Sequence, residues 1–186
     1  MNIINKILFA QLALVISLFP YYTYALTPTP SLVATFTSTV EAGTCNVQIQ
    51  DDTGNPTSNI DFGDVYKSAL TANTVMKNFN IAFSKCIGAH TANITTSITG
   101  SCTGANFPNS NGTSTNTEME IWEGQPSEGA QFSCVNRSTT SHSLSFTSET
   151  GSMSMSARLV IAAGKAAGDV TAGNFSAPVT FLVTYQ

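Results

Sequence analysis

Apolar side chains recur at every second position along this chain, and no segment repeats them at the three-to-four spacing of a helix. From Leu32 to Val40 the even positions read Leu, Ala, Phe, Ser and Val, while Thr fills positions 35, 37 and 39. Phe79, Ile81 and Phe83 alternate towards Cys86, and Met119 with Ile121 and Leu144 with Phe146 do so more briefly. Met153, Met155, Ala157, Leu159 and Ile161 make the longest run; Val179, Phe181, Val183 and Tyr185 make the last. A period of two sends one row of side chains to a core and the other to solvent, which is the geometry of a half-buried strand. Asn59–Tyr66 and the stretch through Ile94 and Ile98 read as two more strands. The turn cluster 51–56 and the Gly/Asn/Ser-rich stretch 103–116, with its Asn111-Gly112 pair, read as connections, as does the small-residue stretch 162–173. Seven or eight strands of this kind predict an all-β chain folded as one sandwich or barrel.

The polar rows are unusual in being uncharged. Thr, Ser and Asn number 26, 21 and 15, a third of the chain, whereas only 10% of residues are charged. An ordinary domain carries about 25%. With 42% hydrophobic residues there is material for a core, so wholesale disorder is not expected. Seven Lys and Arg against eleven acids leave too little positive charge to neutralise a run of phosphates, which excludes a nucleic-acid partner.

The N-terminus reads as an address. Lys6 precedes the thirteen-residue stretch Ile7–Phe19, apolar except for Gln11 and Ser17, and Thr23-Tyr24-Ala25 puts small residues where a signal peptidase reads them. Thirteen residues are too few to cross about 30 Å of hydrocarbon as a helix. Residues 1–25 are therefore expected to be a signal peptide and the exported chain to begin at Leu26. An exported chain with an even number of cysteines, Cys45, Cys86, Cys102 and Cys134, is expected to hold disulfides, for which three pairings are possible. Sequence neighbours would give Cys45–Cys86 and Cys102–Cys134.

No catalytic, metal or cofactor constellation emerges. His90 and His142 lack a second ligand at zinc spacing, there is no G-x-S-x-G elbow, and Asp51-Asp52 and Asp61-x-x-Asp64 lack a calcium loop's spacing. Glu118, Glu120 and Glu123 could seat an acid–base pair but read better as a solvated strand. The four N-x-S/T triplets at Asn93, Asn111, Asn136 and Asn174 are what chance supplies in such a composition. The chain does not read as an enzyme, and no cofactor is expected.

Four segments, in order, resemble pilin subunits of chaperone–usher fimbriae. ATFTSTVEAGTC (34–45) looks like that family's first strand running into its first cysteine. Asn59-Ile60-Asp61-Phe62-Gly63-Asp64-Val65 and Phe79-Asn80-Ile81-Ala82-Phe83-Ser84-Lys85-Cys86 are similar to the two strands that follow, and the separation of Cys45 from Cys86 suits the family's usual bridge. The end is the most telling: Gly173 stands fourteenth from the C-terminus and Tyr185 is penultimate, as in the family's C-terminal signature.

The resemblance implies an immunoglobulin-like β-sandwich that is incomplete, missing its final strand and completed by a donor strand from a neighbour. Residues 26–35 would be the donor-strand extension and 36–186 the pilin domain. Leu32, Ala34 and Phe36 would be the donor side chains. Gly173, Val179, Phe181, Val183 and Tyr185 would line the groove and pair with a periplasmic chaperone, whose basic cleft would take the Gln186 carboxylate. The implied partners are that chaperone, an outer-membrane usher and neighbouring pilin subunits in a fimbrium on the bacterial cell surface. Leu32 stands where donor strands often carry glycine, and Pro28 and Pro30 remove two backbone donors, which points to a minor subunit. The Cys102–Cys134 pair is extra to the commonest pattern and would pin loop 103–116. The alternative is a carbohydrate-binding adhesin module with a site on the pilin domain itself, built from Trp122, Tyr66 or loop 103–116. Intact-mass measurement of the exported protein should find Leu26 as its first residue; retention of residues 1–25 would overturn the reading of that segment.

Overall fold

In the computed structural model the described residues are 35, 37–39, 41–137 and 141–186. The chain divides into two compact units, residues 1–39 and 40–186. Of the first, only Thr35 and Thr37 to Thr39 are described; they are exposed and carry no regular structure. The proposed signal peptide and the donor side chains Leu32, Ala34 and Phe36 lie outside the described residues.

The regular structure of the second unit is almost entirely β-strand. Its elements are β1 (Thr44–Asp51), α1 (Lys67–Thr71), β2 (Met76–Ile87), β3 (Thr91–Ser97), β4 (Phe107–Pro108), β5 (Thr117–Glu123), β6 (Ala130–Phe132), β7 (His142–Ser145), β8 (Gly151–Ile161), a single 3₁₀ turn (Ala167–Asp169) and β9 (Thr180–Tyr185). One sheet has the order β1-β2-β8-β5-β4, with β6 also paired to β5; the other has the order β7-β3-β9. All pairings are antiparallel.

Register turns the alternation into a core. In the larger sheet Phe79 stands opposite Met155 and Ile81 opposite Met153, while Met119 and Ile121 face Leu159 and Ala157. All eight are buried, as are Ala92 and Ile94 of β3. Ile81 and Ile94 are fully shielded from solvent. His142 ties the two sheets together. Its Nδ1 lies 2.8 Å from Glu123 Oε2, and its ring stacks on Phe132 at 3.6 Å.

Two stretches depart from the alternation-based reading. Asn59–Tyr66 forms no strand: Gly63 turns with φ 68°, donating its N–H to Asp61 Oδ1, and the chain passes into α1. That helix buries only Leu70 and ends as Asn73 takes φ 54°. Five residues are too few to print a helical stripe on a sequence. Stretch 103–116 contains the two-residue strand β4, whose Phe107 is fully buried.

The disulfides are Cys45–Cys86 and Cys102–Cys134. The first crosses a bulge where Lys85 and Cys86 of β2 oppose Cys45 alone, Lys85 taking φ 52°. By the chain-entropy view each loop of this size contributes about 3–4 kcal/mol. Stretch 109–116 is held by hydrogen bonds to 171–176. The N–H groups of Thr113 and Ser114 donate to Asn174 O at 2.9 and 3.0 Å, Asn111 N to Ser176 O at 3.0 Å, and Ser176 N to Asn109 Oδ1 at 2.7 Å. Ser114 Oγ and Thr115 N reach Thr171 at 2.9 Å each.

Gly173 sits where this clasp is tightest. A Cβ there would lie 2.6 Å from Ser114 N and from Thr113 Oγ1, closer than packed atoms tolerate, whereas one on Gly104 would meet nothing. Gly173→Ala should therefore lower the free energy of unfolding by about 1–3 kcal/mol in a urea titration, with Gly104→Ala changing it by less than about 0.5 kcal/mol.

Candidate functional site

The strands β1 and β9 each form an edge, one of the larger sheet and one of the smaller. In β9 the register places Phe181 opposite Thr96, Val183 opposite Ile94 and Tyr185 opposite Ala92. Those β3 residues are buried, so Phe181, Val183 and Tyr185 occupy the same inward row; yet all three are only half-buried. The same step occurs in β1. Ile49 stands opposite Ile81 and Val47 opposite Phe83. Phe83 is 2% exposed, whereas Val47 is 39% exposed and Ile49 is half-buried. One strand spacing of about 4.8 Å takes the core from sealed to open on both sheets.

The two edges meet along one side of the sandwich. Phe181 packs on Phe79 and Phe132, with ring centroids 6.2 and 5.9 Å apart. The Tyr185 hydroxyl donates to the Cys45 carbonyl of β1 across 3.4 Å. Burial pushes the Tyr185 phenol above its usual value, although that bond partly opposes the shift. Val179, at the entrance to β9, and Phe175 and Ala177 before it are also half-buried against the core.

Backbone pairing at these edges is one-sided among the described residues. β9 pairs with β3 alone. Beyond the strand, Gln186 donates its N–H to Thr91 O and accepts at its main-chain oxygen from His90 and Thr91 N–H, each at 2.9 Å. Opposite β2, β1 is covered only near its end, where Thr57 N donates to Ile49 O and Gln50 bridges to Pro56. An apolar strip flanked by unused N–H and C=O groups can accept an added strand: pairing groups supply the ladder, and half-filled gaps take alternate side chains. Burying a Val, Ile or Phe side chain fully is worth about 1.5–3 kcal/mol, so half-covering several leaves a few kcal/mol for an occupant to gain.

Of the groove residues expected from the sequence, Val179, Phe181, Val183 and Tyr185 share this open side. Gly173 serves instead the clasp described above. The opposite wall, Val47 and Ile49, was absent from that expectation, although Cys45, Val47 and Ile49 alternate in TCNVQIQD as regularly as any strand. Of the adhesin alternative, Tyr66 is 76% exposed before α1, and Trp122 lies on the outer face of β5, its Nε1 donating to Glu120 at 3.1 Å. These two sit on separate elements, with no contact between them described. No group of three or more His, Cys, Asp or Glu able to hold a metal occurs among the described residues.

The fold is an all-β sandwich whose edge strands β1 and β9 leave an apolar row half-covered. The family model described as "Fimbrial protein" matches residues 34–186, and the chain belongs to that family, a structural rather than enzymatic one. It is 35% identical over 191 aligned residues to the uncharacterized fimbrial-like protein YadL of Escherichia coli (strain K12), spanning 95% of this chain and 94% of that one. In structure it is similar to the P pilus rod subunit PapA, with a TM-score of 0.54 at 20% identity over 76% of this chain and 99% of the other. It is also similar to a subunit from a chaperone–usher pilus structure concerned with rod uncoiling, with a TM-score of 0.51 at 19% identity over 87% and 99%. Both likenesses concern the fold.

The open edge makes a direct prediction. In the unpaired subunit, Ile81→Ala should cost about 2–5 kcal/mol of stability, while Val47→Ala on the same inward row should cost less than about 1 kcal/mol. Equal losses in urea unfolding would mean that the edge is covered.

Proposed function

We propose that the chain is a minor subunit of a surface fimbria, assembled by donor-strand exchange and serving cell adhesion. The observation that carries this reading is the paired half-burial of the inward rows of β1 and β9. In the proposed cycle a periplasmic chaperone lends a strand to this strip, and the N-terminal extension of a neighbouring subunit replaces it at the usher. Val179, Phe181, Val183 and Tyr185 form one wall, Val47 and Ile49 the other.

The division of the chain follows from the same reading. Residues 1–25 direct export, 26–35 donate, and 36–186 form the accepting domain. Leu32, Ala34 and Phe36 are spaced by two, so in an extended segment they point the same way about 6.6–6.8 Å apart, matching the repeat of an inward row. The Gln186 carboxylate is the group a basic chaperone cleft would hold. Pro28 and Pro30 remove two N–H donors from the extension and shorten the ladder it can form, which suits a subunit used sparingly in a fibre.

Residues 26–186 made alone should aggregate or form strand-exchanged oligomers. Fusing residues 26–40 behind Gln186 through a short flexible linker, or co-expressing the chaperone, should yield a soluble monomer in size-exclusion chromatography. A stable monomer from the unassisted chain would overturn the proposal.

A further inference from the structure

The second disulfide has a neighbour that a purely structural bridge does not require. Cys102–Cys134 ties the start of stretch 103–116 to the turn that follows β6. In that turn Asn136 N donates to Ser133 Oγ at 3.2 Å, and the chain folds back so that Arg137 reaches Cys134. Arg137 Nη1 donates to the Cys134 carbonyl at 3.0 Å and to Cys102 Sγ at 3.3 Å. A guanidinium is ordinarily used against a carboxylate, whose geometry its fork matches. Arg137 is half-buried and has no carboxylate partner; the ion pairs among the described residues are His142–Glu123 and Arg158–Glu120. In a chain with seven Lys and Arg, a cation directed at a sulfur calls for a reason.

The two sulfurs stand in different surroundings. Cys134 is fully shielded from solvent, whereas Cys102 is half-buried. Cys134 N donates to Ala105 O at 2.8 Å and Val135 N to Gly104 O at 3.2 Å. These bonds join the two segments without the bridge, so the sulfurs remain neighbours when it is open. A cation hydrogen-bonded to a sulfur favours its thiolate, and the thiolate is the nucleophile in thiol–disulfide exchange. The Cys45–Cys86 bridge has no side-chain donor on either sulfur among the described residues; the Tyr185 hydroxyl goes to the Cys45 carbonyl instead.

We propose that Cys102 is a reactive sulfur, held as its thiolate by Arg137, through which the Cys102–Cys134 bridge is made and opened by exchange with an external disulfide or thiol. In the making direction the Cys102 thiolate, its proton already lost to solvent, attacks one sulfur of a disulfide RS–SR. The RS–SR bond breaks, RS⁻ leaves with the electron pair, and a mixed disulfide forms on Cys102. Cys134 then gives up its proton and attacks Cys102 Sγ, expelling the second RS⁻. Two protein thiols are oxidised to the bridge, and RS–SR is reduced to two thiols that take up the two protons. Opening is the reverse: a small thiolate attacks Cys102 Sγ, the sulfur it can reach, and a second one releases Cys102 onto Arg137. The tether at the start of 103–116 therefore responds to thiols separately from the bridge between β1 and β2. This site is independent of the donor-strand reading, since none of its residues lies in β1 or β9.

The test uses Cys134→Ala protein isolated from cells expressing the full chain, in which Cys102 is left as a free thiol beside an intact Cys45–Cys86 bridge. Oxidised glutathione is the probe, and intact-mass spectrometry follows the mixed disulfide. At neutral pH Cys102 should react about three- to fivefold faster than in the same protein carrying Arg137→Gln. Arg137→Lys, which keeps the charge, should restore part of that rate. Because Cys134→Ala removes a buried side chain, a second measurement leaves both bridges native. Protein with the unaltered sequence is titrated with dithiothreitol, alkylated with iodoacetamide and mapped by peptide mass. Cys102 and Cys134 should be labelled at lower thiol concentration than Cys45 and Cys86, with the circular dichroism of the oxidised protein retained. Equal rates with Arg and Gln at position 137 would reduce Arg137 to an anchor of its turn and overturn the proposal. Opening of the two bridges at the same thiol concentration would overturn it as well.

Discussion

A two-sheet core stays dry only where a paired strand covers each inward row, and here that cover thins between β1 and β9. His142 joins the two sheets, reaching Glu123 and stacking on Phe132, the ring on which Phe181 also packs. The middle is sealed by β2, β8 and β3, whose inward residues are nearly all buried. The strip from Val47 and Ile49 across to Phe181 and Val183 is half-wet, and it lies between two backbone edges able to pair. Apolar surface and unused backbone groups in one strip favour a strand as occupant over a compact ligand, because a strand satisfies both at once.

Stiffness is supplied at the borders of that strip by contacts that do not depend on its being filled. The Cys45–Cys86 bridge joins β1 to β2 at the end where Tyr185 reaches Cys45. At the entrance to β9, the clasp between 109–116 and 171–176 fixes the path of the chain before Val179. Gly173 belongs to that clasp for a steric reason: the backbone of Thr113 and Ser114 passes too close for any side chain. A position that the C-terminal signature singles out thus positions the last strand without touching the apolar strip.

The scarcity of charge follows from the same economy. Thr, Ser and Asn on the outer rows satisfy their own hydrogen bonds without ionic neighbours, as Ser143 does with Asn93 at 2.6 Å. Against that neutral coat the cross-strand pair of Glu120 on β5 and Arg158 on β8 stands out, because partly buried charges must be paired to be tolerated.

How much of this was legible in the sequence differs by element. The strands β2, β5, β8 and β9 were readable because their inward rows are long and strictly alternating, and register follows from alternation wherever one face is buried. Asn59–Tyr66 was misread because its apolar residues alternate over a stretch that turns at Gly63, and β4 and α1 are too short to carry a period. The wall formed by Phe181, Val183 and Tyr185 was visible as an apolar row, but nothing local distinguishes a covered row from an open one. Val47 and Phe83 are equally apolar and equally well placed in their strands; their difference in burial arises from which neighbours the topology sets beside them. The clasp at Gly173 likewise joins segments tens of residues apart. The sequence by itself determined an all-β chain with its faces assigned and its family marked at the C-terminal end. Tertiary structure alone decided which apolar row is left open, because exposure depends on the strand beside it, and strand order is set by long-range pairing.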